Sequence, residues 1–154
     1  MKNYMKLELA AISRNESFAR NAVAAFALFL NPTVTELSDI KIAVSEAVTN
    51  AVVHAYKNGQ NADDCVWIEC IAEEDEKGGL LHITITDRGC GIENVTQALT
   101  PFYTTLEGEE RSGLGFTVMQ TFMTDFSVRS EREKGTTVWM SKRFSGETQS
   151  AEVG

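Results

Sequence analysis

The change of hydrophobic period near Cys65 constrains this chain more than any other feature. Before it, Leu37, Ile40, Val44, Ala47, Val48, Ala51 and Ala55 recur at spacings of three and four, which predicts one long amphipathic helix ending near Tyr56. After it, "CVWIECIAE" and "LLHITITD" alternate with period two around "EDEKGG", which predicts a hairpin with Leu81, Ile83 and Ile85 on one face. A helical stripe and a sheet face must each be covered, and the economical solution is that they cover one another in two layers.

The remaining elements fit that frame. "MKLELAAI", about residues 5–12, is a strand candidate. "SRNE" from Ser13 and Thr33-x-x-Glu36 have the form of capping boxes, opening a first helix through Phe18, Ala22, Phe26 and Phe29 and then the long one. Asn31-Pro32 separates the two, because a residue before proline avoids the helical region. Residues 88–112 are mostly irregular, with a short helical candidate at Asn94 to Leu99; a segment of that length suits a functional lid. "GLGFTVMQTFMTDF" is helical again, and "FSVRSE" and "TTVWMSKRF" close a last hairpin around "REKG". The expected fold class is α+β, a two-layer sandwich with a mixed, mostly antiparallel sheet covered on one face by helices. One domain is expected over residues 1–144, followed by a polar, frayed tail at 145–154. The glycine clusters do not open an early βαβ crossover, so a Rossmann unit is not expected.

The formal net charge of −8 over 154 residues disfavours direct binding to a nucleic-acid backbone and suits a basic partner or a ligand carried by a cation. The longest apolar run, Ala22 to Leu30, is too short to cross a bilayer. Glu8 interrupts the apolar part of the N-terminal stretch, so no signal peptide is read and a cytoplasmic location is expected. Cys65, Cys70 and Cys90 form no C-x-x-C pair and are expected to pack as small apolar residues in a reducing compartment.

Four short patterns carry chemistry. On a regular helix Glu46, Asn50 and His54 rise one above another, apart from the apolar stripe; alone they suit a solvated face as well as a site. "TDRGCGI" places Asp87 at a strand end beside Gly89 and Gly91, either an ordinary turn or an acceptor beside backbone that a flat ligand approaches closely. "ERSGLGF" puts Gly113 and Gly115 where a loop enters a helix, a setting that favours phosphate, with Arg111 or Ser112 able to add hydrogen bonds. "KGTTVWM" is a tight turn into a strand, from which Thr136 or Thr137 could reach the same pocket.

Taken in order, E-x-x-x-N, D-x-G-x-G, a lid ending in G-x-G and a late G-T-T resemble the nucleotide-binding pattern shared by gyrase B, a class of heat-shock chaperones, bacterial histidine kinases and MutL. "NESFAR", "LSDIKIAVSEAVTNAVVHAY" and "ERSGLGFTVMQTFMTDFSV" are similar to the anti-sigma-F factors of sporulating bacteria, small serine kinases of the same superfamily. The resemblance runs to about residue 144 and weakens at 57–64, at 73–79 and in the tail.

The resemblance implies that Glu46 activates an acceptor hydroxyl and that Asn50 coordinates Mg²⁺. It implies that Asp87 reads the adenine amino group, with Gly89 and Gly91 admitting the base and Thr137 in the base pocket. Gly113 and Gly115 fall on the phosphate segment, and Arg111 on a lid arginine; His54, Thr104, Thr105 and Ser112 join the nucleotide set, and Arg20 falls on the partner-binding surface. Two positions depart from the pattern: His54-Ala55-Tyr56 stands where the family has His-Gly-Tyr, and Leu106 where it has a lysine. The implied reaction is MgATP-dependent phosphorylation of a serine on an anti-anti-sigma protein by a homodimeric kinase that also sequesters a sigma factor of the sporulation type. A stress-response kinase, a sequestering module with little kinase activity and a slow ATPase whose Glu46 activates water are the alternatives. His54 and His82 are poorly placed for a histidine autokinase, and the length is short for a clamp ATPase with a transducer domain.

Overall fold

The computed structural model describes residues 2–56, 63–92, 95, 99 and 115–145. In chain order these form β1 (Lys2–Ala10), α1 (Arg14–Ala27) with a 3-10 turn at Leu28–Leu30, and α2 (Val34–Thr49) continuing as a π-helical turn at Asn50–Ala55. Then follow β2 (Cys65–Asp75), β3 (Gly78–Asp87), α3 (Gly115–Phe122), β4 (Asp125–Glu131) and β5 (Gly135–Arg143). The strands make one sheet in the order β1-β2-β3-β5-β4, and each neighbouring pair is antiparallel. The fold is α+β, with an antiparallel sheet and no parallel pair among the described strands.

Register aligns the apolar alternation of each strand into rows across the sheet. Leu7, Ile68, Ile85, Val138 and Val128 form one row, and Met5, Cys70, Ile83, Met140 and Phe126 the next. The row beyond them runs Leu9, Val66, Asp87, Thr136, Ser130, so a carboxylate ends the inner face of β3 where an apolar residue would continue it. The buried cluster joins this face to Ile40, Ala43, Val44, Ala47, Val48 and Ala51 of the second helix.

Thr33 caps α2 as expected: Glu36 N–H meets Thr33 Oγ1 at 3.1 Å, and Glu36 Oε1 accepts Thr33 N–H at 2.9 Å. The capping box expected at Ser13 does not form. Ser13 is itself helical, with φ −57° and ψ −33°, and Glu16 turns to Arg20 one turn on, where Arg20 Nη1 and Glu16 Oε1 are 2.8 Å apart. The buried face of α1 is also shifted by one residue from the phenylalanine stripe: Ala19, Val23 and Ala27 are buried while Phe18 is 53% exposed. Small side chains allow α1 to approach α2, and Phe18 is too large for that seam.

A lysine ties three elements together. Lys142 Nζ, near the end of β5, sits 2.9 Å from Asp39 Oδ2 on α2 and 2.6 Å from the carbonyl of Phe122, the last residue of α3. It neutralises a carboxylate and caps a helix C-terminus with one ammonium group. Cys70 is buried, whereas Cys65 and Cys90 are half-buried; all three are free thiols. No described helix is long and apolar enough to cross a membrane.

Candidate functional site

Asp87 is 7% exposed, held there by the alternation that buries Leu81, Ile83 and Ile85. Its Oδ1 accepts Gly89 N–H at 2.9 Å and Thr136 N–H at 3.2 Å, and among the described residues no hydrogen bond ends on Oδ2. Burial pushes its pKa up to about 6, against the opposing pull of those two N–H groups. At neutral pH the group is mostly ionised and keeps a spare acceptor oxygen in an apolar setting, where a donor is worth most.

The loop after Asp87 is docked on the end of the second helix. Cys90 N–H donates to Ala55 O at 2.7 Å, and Cys90 Sγ lies 3.4 Å from His54 O. Tyr56 Oη accepts Arg88 N–H at 2.9 Å and donates to Cys65 O at 2.8 Å. Burial raises the pKa of the Tyr56 hydroxyl, so it keeps its proton for that second bond. A Cβ on Gly89 would stand 2.2 Å from Ala55 O, and one on Gly91, where φ is +74°, 2.2 Å from Glu131 O. Backbone packing thus explains both glycines: a side chain at either position would collide with the protein's own chain.

Thr136 and Thr137 separate across the sheet. Thr136 shares the inner row with Asp87, and its Oγ1 is 2.8 Å from Ser130 Oγ, which accepts Ile92 N–H at 2.7 Å. Thr137 pairs with Thr86 on the other face, their hydroxyls 3.5 Å apart. Of the two threonines left open by the turn pattern, geometry joins Thr136 to Asp87 and sets Thr137 apart from it.

Glu46 and Asn50 keep one α-helical turn between them, since Asn50 N–H reaches Glu46 O. Beyond Asn50 the helix widens into the π-helical turn, a form frequent at functional sites, and the regular stacking expected for His54 does not continue through it. Glu46 lines a shallow depression of about 290 Å³ with Arg20, Ser38, Lys41, Ile42 and Ser45, so the structure does bring Glu46 and Arg20 to one place. Among the described residues no cluster of three or more His, Cys, Asp or Glu could hold a metal ion. A neutral amide such as Asn50 suits Mg²⁺ that takes its other ligands from phosphate and water.

Thr104, Thr105, Leu106, Arg111, Ser112 and Gly113 lie outside the described residues, as does most of the expected lid; Gly115 is the first residue of α3. Two residues of this region have no role assigned from the sequence: Tyr56, named only as the end of the long helix and of His54-Ala55-Tyr56, and Ser130. Tyr56 stands just past the helical stripe; Ser130 carries no signal, because its partners, the Gly135 carbonyl and Thr136 hydroxyl across the hairpin and the Ile92 N–H of a distant loop, are set by the fold.

Residues 9–142 match the model of the histidine kinase-like ATPase domain. An anti-sigma F factor of Geobacillus sp. (strain WCH70) is 49% identical over 92% of this chain and 93% of its own. One from Oceanobacillus iheyensis is 48% identical over 94% and 95%, and one from Clostridium botulinum (strain Eklund 17B / Type B) 48% over 93% and 96%. Among solved structures, the RsbU and RsbW domains of a Mycobacterium tuberculosis protein share the fold, with a TM-score of 0.63 at 18% identity over 92% of this chain and 32% of that one. The mycobacterial sensor histidine kinase MprB does so with 0.53 at 14% over 92% and 98%. By domain and by near full-length identity, the chain belongs to the anti-sigma F factors, a branch of the histidine kinase-like ATPase family.

Proposed function

We propose that this chain is an ATP-dependent protein-serine kinase that also binds and holds a sigma factor of the F type, and that its phosphoryl acceptor is a serine on an anti-anti-sigma protein. The observation that carries the nucleotide half is Asp87, a buried carboxylate whose Oδ1 is taken by two backbone N–H groups while no hydrogen bond from the described residues ends on Oδ2, the oxygen offered to the adenine amino group. The names of the relatives support the sigma-factor half.

The roles divide by chemistry. Thr136 replaces Thr137 beside the base, and Gly89 and Gly91 shape the loop. Asn50 would hold Mg²⁺ through its side-chain carbonyl, and the ion would neutralise charge on the phosphates. Glu46 accepts the serine proton as the serine oxygen bonds to the γ-phosphorus and the bridging bond to the β-phosphate breaks. Arg111, Ser112, Gly113 and Gly115 serve the phosphates, with His54, Thr104 and Thr105 completing the nucleotide set. Arg20, on the same depression as Glu46, meets the partner. A homodimer in the cytoplasm completes the reading.

Transfer of label from Mg-ATP to the anti-anti-sigma serine is expected from the purified protein. Glu46→Gln is expected to abolish that transfer while leaving nucleotide binding intact. Partner binding without phosphorylation would reduce the protein to a sequestering module, and phosphate release unaffected by the partner would make it an ATPase.

A further inference from the structure

We infer that Tyr56 is a positioning residue for base selection: its hydroxyl is wedged between the ends of β2 and β3 and fixes the loop that aims Asp87. The inference rests on the nucleotide reading above and adds a residue to it.

The sheet register shows the wedge. The β2–β3 ladder runs down to the pair Val66 and Asp87 and stops, although β2 still pairs with β1 one residue further, at Cys65 and Ala10. The next rung would bring Cys65 and Arg88 together. In its place Tyr56 Oη bridges them, donating to Cys65 O at 2.8 Å and accepting Arg88 N–H at 2.9 Å. The hydroxyl satisfies both strand ends while holding them apart, and that parting turns the chain from β3 toward the second helix.

Everything downstream depends on that turn. Arg88 is followed by Gly89, whose N–H holds Asp87 Oδ1 and whose α-carbon lies against Ala55 O, and by Cys90, whose N–H is bonded to Ala55 O. Ala55 closes the π-helical turn that begins at Asn50, and Tyr56 follows it directly. The clasp therefore links the residue assigned to the base with the residue assigned to the metal through a short, backbone-bonded path. Without the hydroxyl, Cys65 O and Arg88 N–H lose their shared partner, and closing the next rung would draw Arg88 toward β2 and Gly89 N–H off the Asp87 carboxylate.

The test compares Mg-ATP and Mg-GTP, because guanine presents a carbonyl oxygen where adenine presents the amino group. Tyr56→Phe keeps the ring and removes the hydroxyl; the preference for ATP over GTP, measured by titration calorimetry, is expected to fall about fivefold or more, the effect of one misplaced hydrogen bond. Gly89→Ala displaces the same loop from Ala55 and is expected to lower the ratio likewise. Lys142→Met, which weakens the fold far from this loop, is expected to lower the melting temperature and leave the ratio unchanged. A wild-type ratio in Tyr56→Phe, or loss of ATP and GTP binding in equal measure, would overturn the positioning role; a lowered ratio in Gly89→Ala alone would show that the loop matters but the Tyr56 hydroxyl does not. A wild-type protein with no preference for ATP would overturn the nucleotide reading itself, and the two failures are distinct.

Discussion

Thr136 donates its backbone N–H to Asp87 Oδ1 at 3.2 Å, tying the start of β5 to the last residue of β3. Its hydroxyl continues the connection to Ser130 Oγ and thence to Ile92 N–H, so one threonine braces both the carboxylate and the loop beyond it. Thr136→Val keeps the N–H and the shape but removes the hydroxyl. Nucleotide affinity is expected to fall about fivefold to tenfold, as for loss of a buried hydrogen bond. Thr137→Val, on the opposite face, is expected to leave affinity unchanged; equal losses in the two titrations would refute the division of the pair.

Burial of Asp87 carries a stability signature with a definite sign. Its pKa rises from 3.8 to about 6 on folding, so its favourable contribution is complete below about pH 4 and is lost as pH rises through 6. Two units correspond to roughly 3 kcal/mol of lost stability at neutral pH. Asp87→Asn keeps an oxygen for the Gly89 and Thr136 N–H groups and has no such titration. In the absence of nucleotide it is expected to melt about 6 to 12 °C above wild type at pH 7.5, converging with it near pH 4. The same variant should bind ATP more weakly and GTP relatively better, because the amide presents a donor to the base; thermal melts across pH and paired titrations check both halves.

Much of this architecture was legible because periodicity and burial coincide. Ile40, Val44, Ala47 and Val48 announced the covered face of α2, and Leu81, Ile83 and Ile85 the inner face of β3, on which Asp87 falls by parity. What escaped depends on partners far away in sequence. Phe18 outweighs Ala19 in hydrophobicity, yet the close seam between α1 and α2 selects the alanine. Nothing in "NAVVHA" signals the π-helical turn, because the bonds from Cys90 and Arg88 that dock on its end come from another element. A G-x-G pattern cannot distinguish a glycine that admits a ligand from one that admits the carbonyl of Ala55 or Glu131. Which of Thr136 and Thr137 shares a row with Asp87 is a one-residue question of strand parity, which only the register with Asp87 and Thr86 answers.

Gly135 is the glycine whose replacement should do most harm to the site. Its φ is +106°, and an added Cβ would stand 2.1 Å from Asp87 O, against backbone that cannot yield without moving the carboxylate. Gly135→Ala is expected to cost more than about 2 kcal/mol and to weaken nucleotide binding in the protein that still folds. Gly79→Ala is the comparison: its Cβ would meet side-chain atoms of Leu30 at 3.1 Å and of Phe144 at 3.2 Å, without positive φ. A milder loss, confined to stability, is expected there, and a denaturant titration of both variants would show whether the order holds.

Lys142 lies at the opposite end of the inner face from Asp87, and its removal should disturb the fold without touching the base site. The Lys142 side chain is 13% exposed and that of Asp39 20%, so the pair is largely shielded from solvent and salt. Lys142→Met preserves the aliphatic stem but leaves Asp39 and the Phe122 carbonyl without their shared donor. Stranding a partly buried carboxylate is expected to cost about 2 kcal/mol, or roughly 4 to 8 °C in melting temperature for a chain of this size. Adding Asp39→Asn to Lys142→Met removes the stranded charge, so the double variant should recover part of that loss. A loss of melting temperature in the double variant equal to the sum of the losses in Lys142→Met and Asp39→Asn would show that the two residues do not act as a pair.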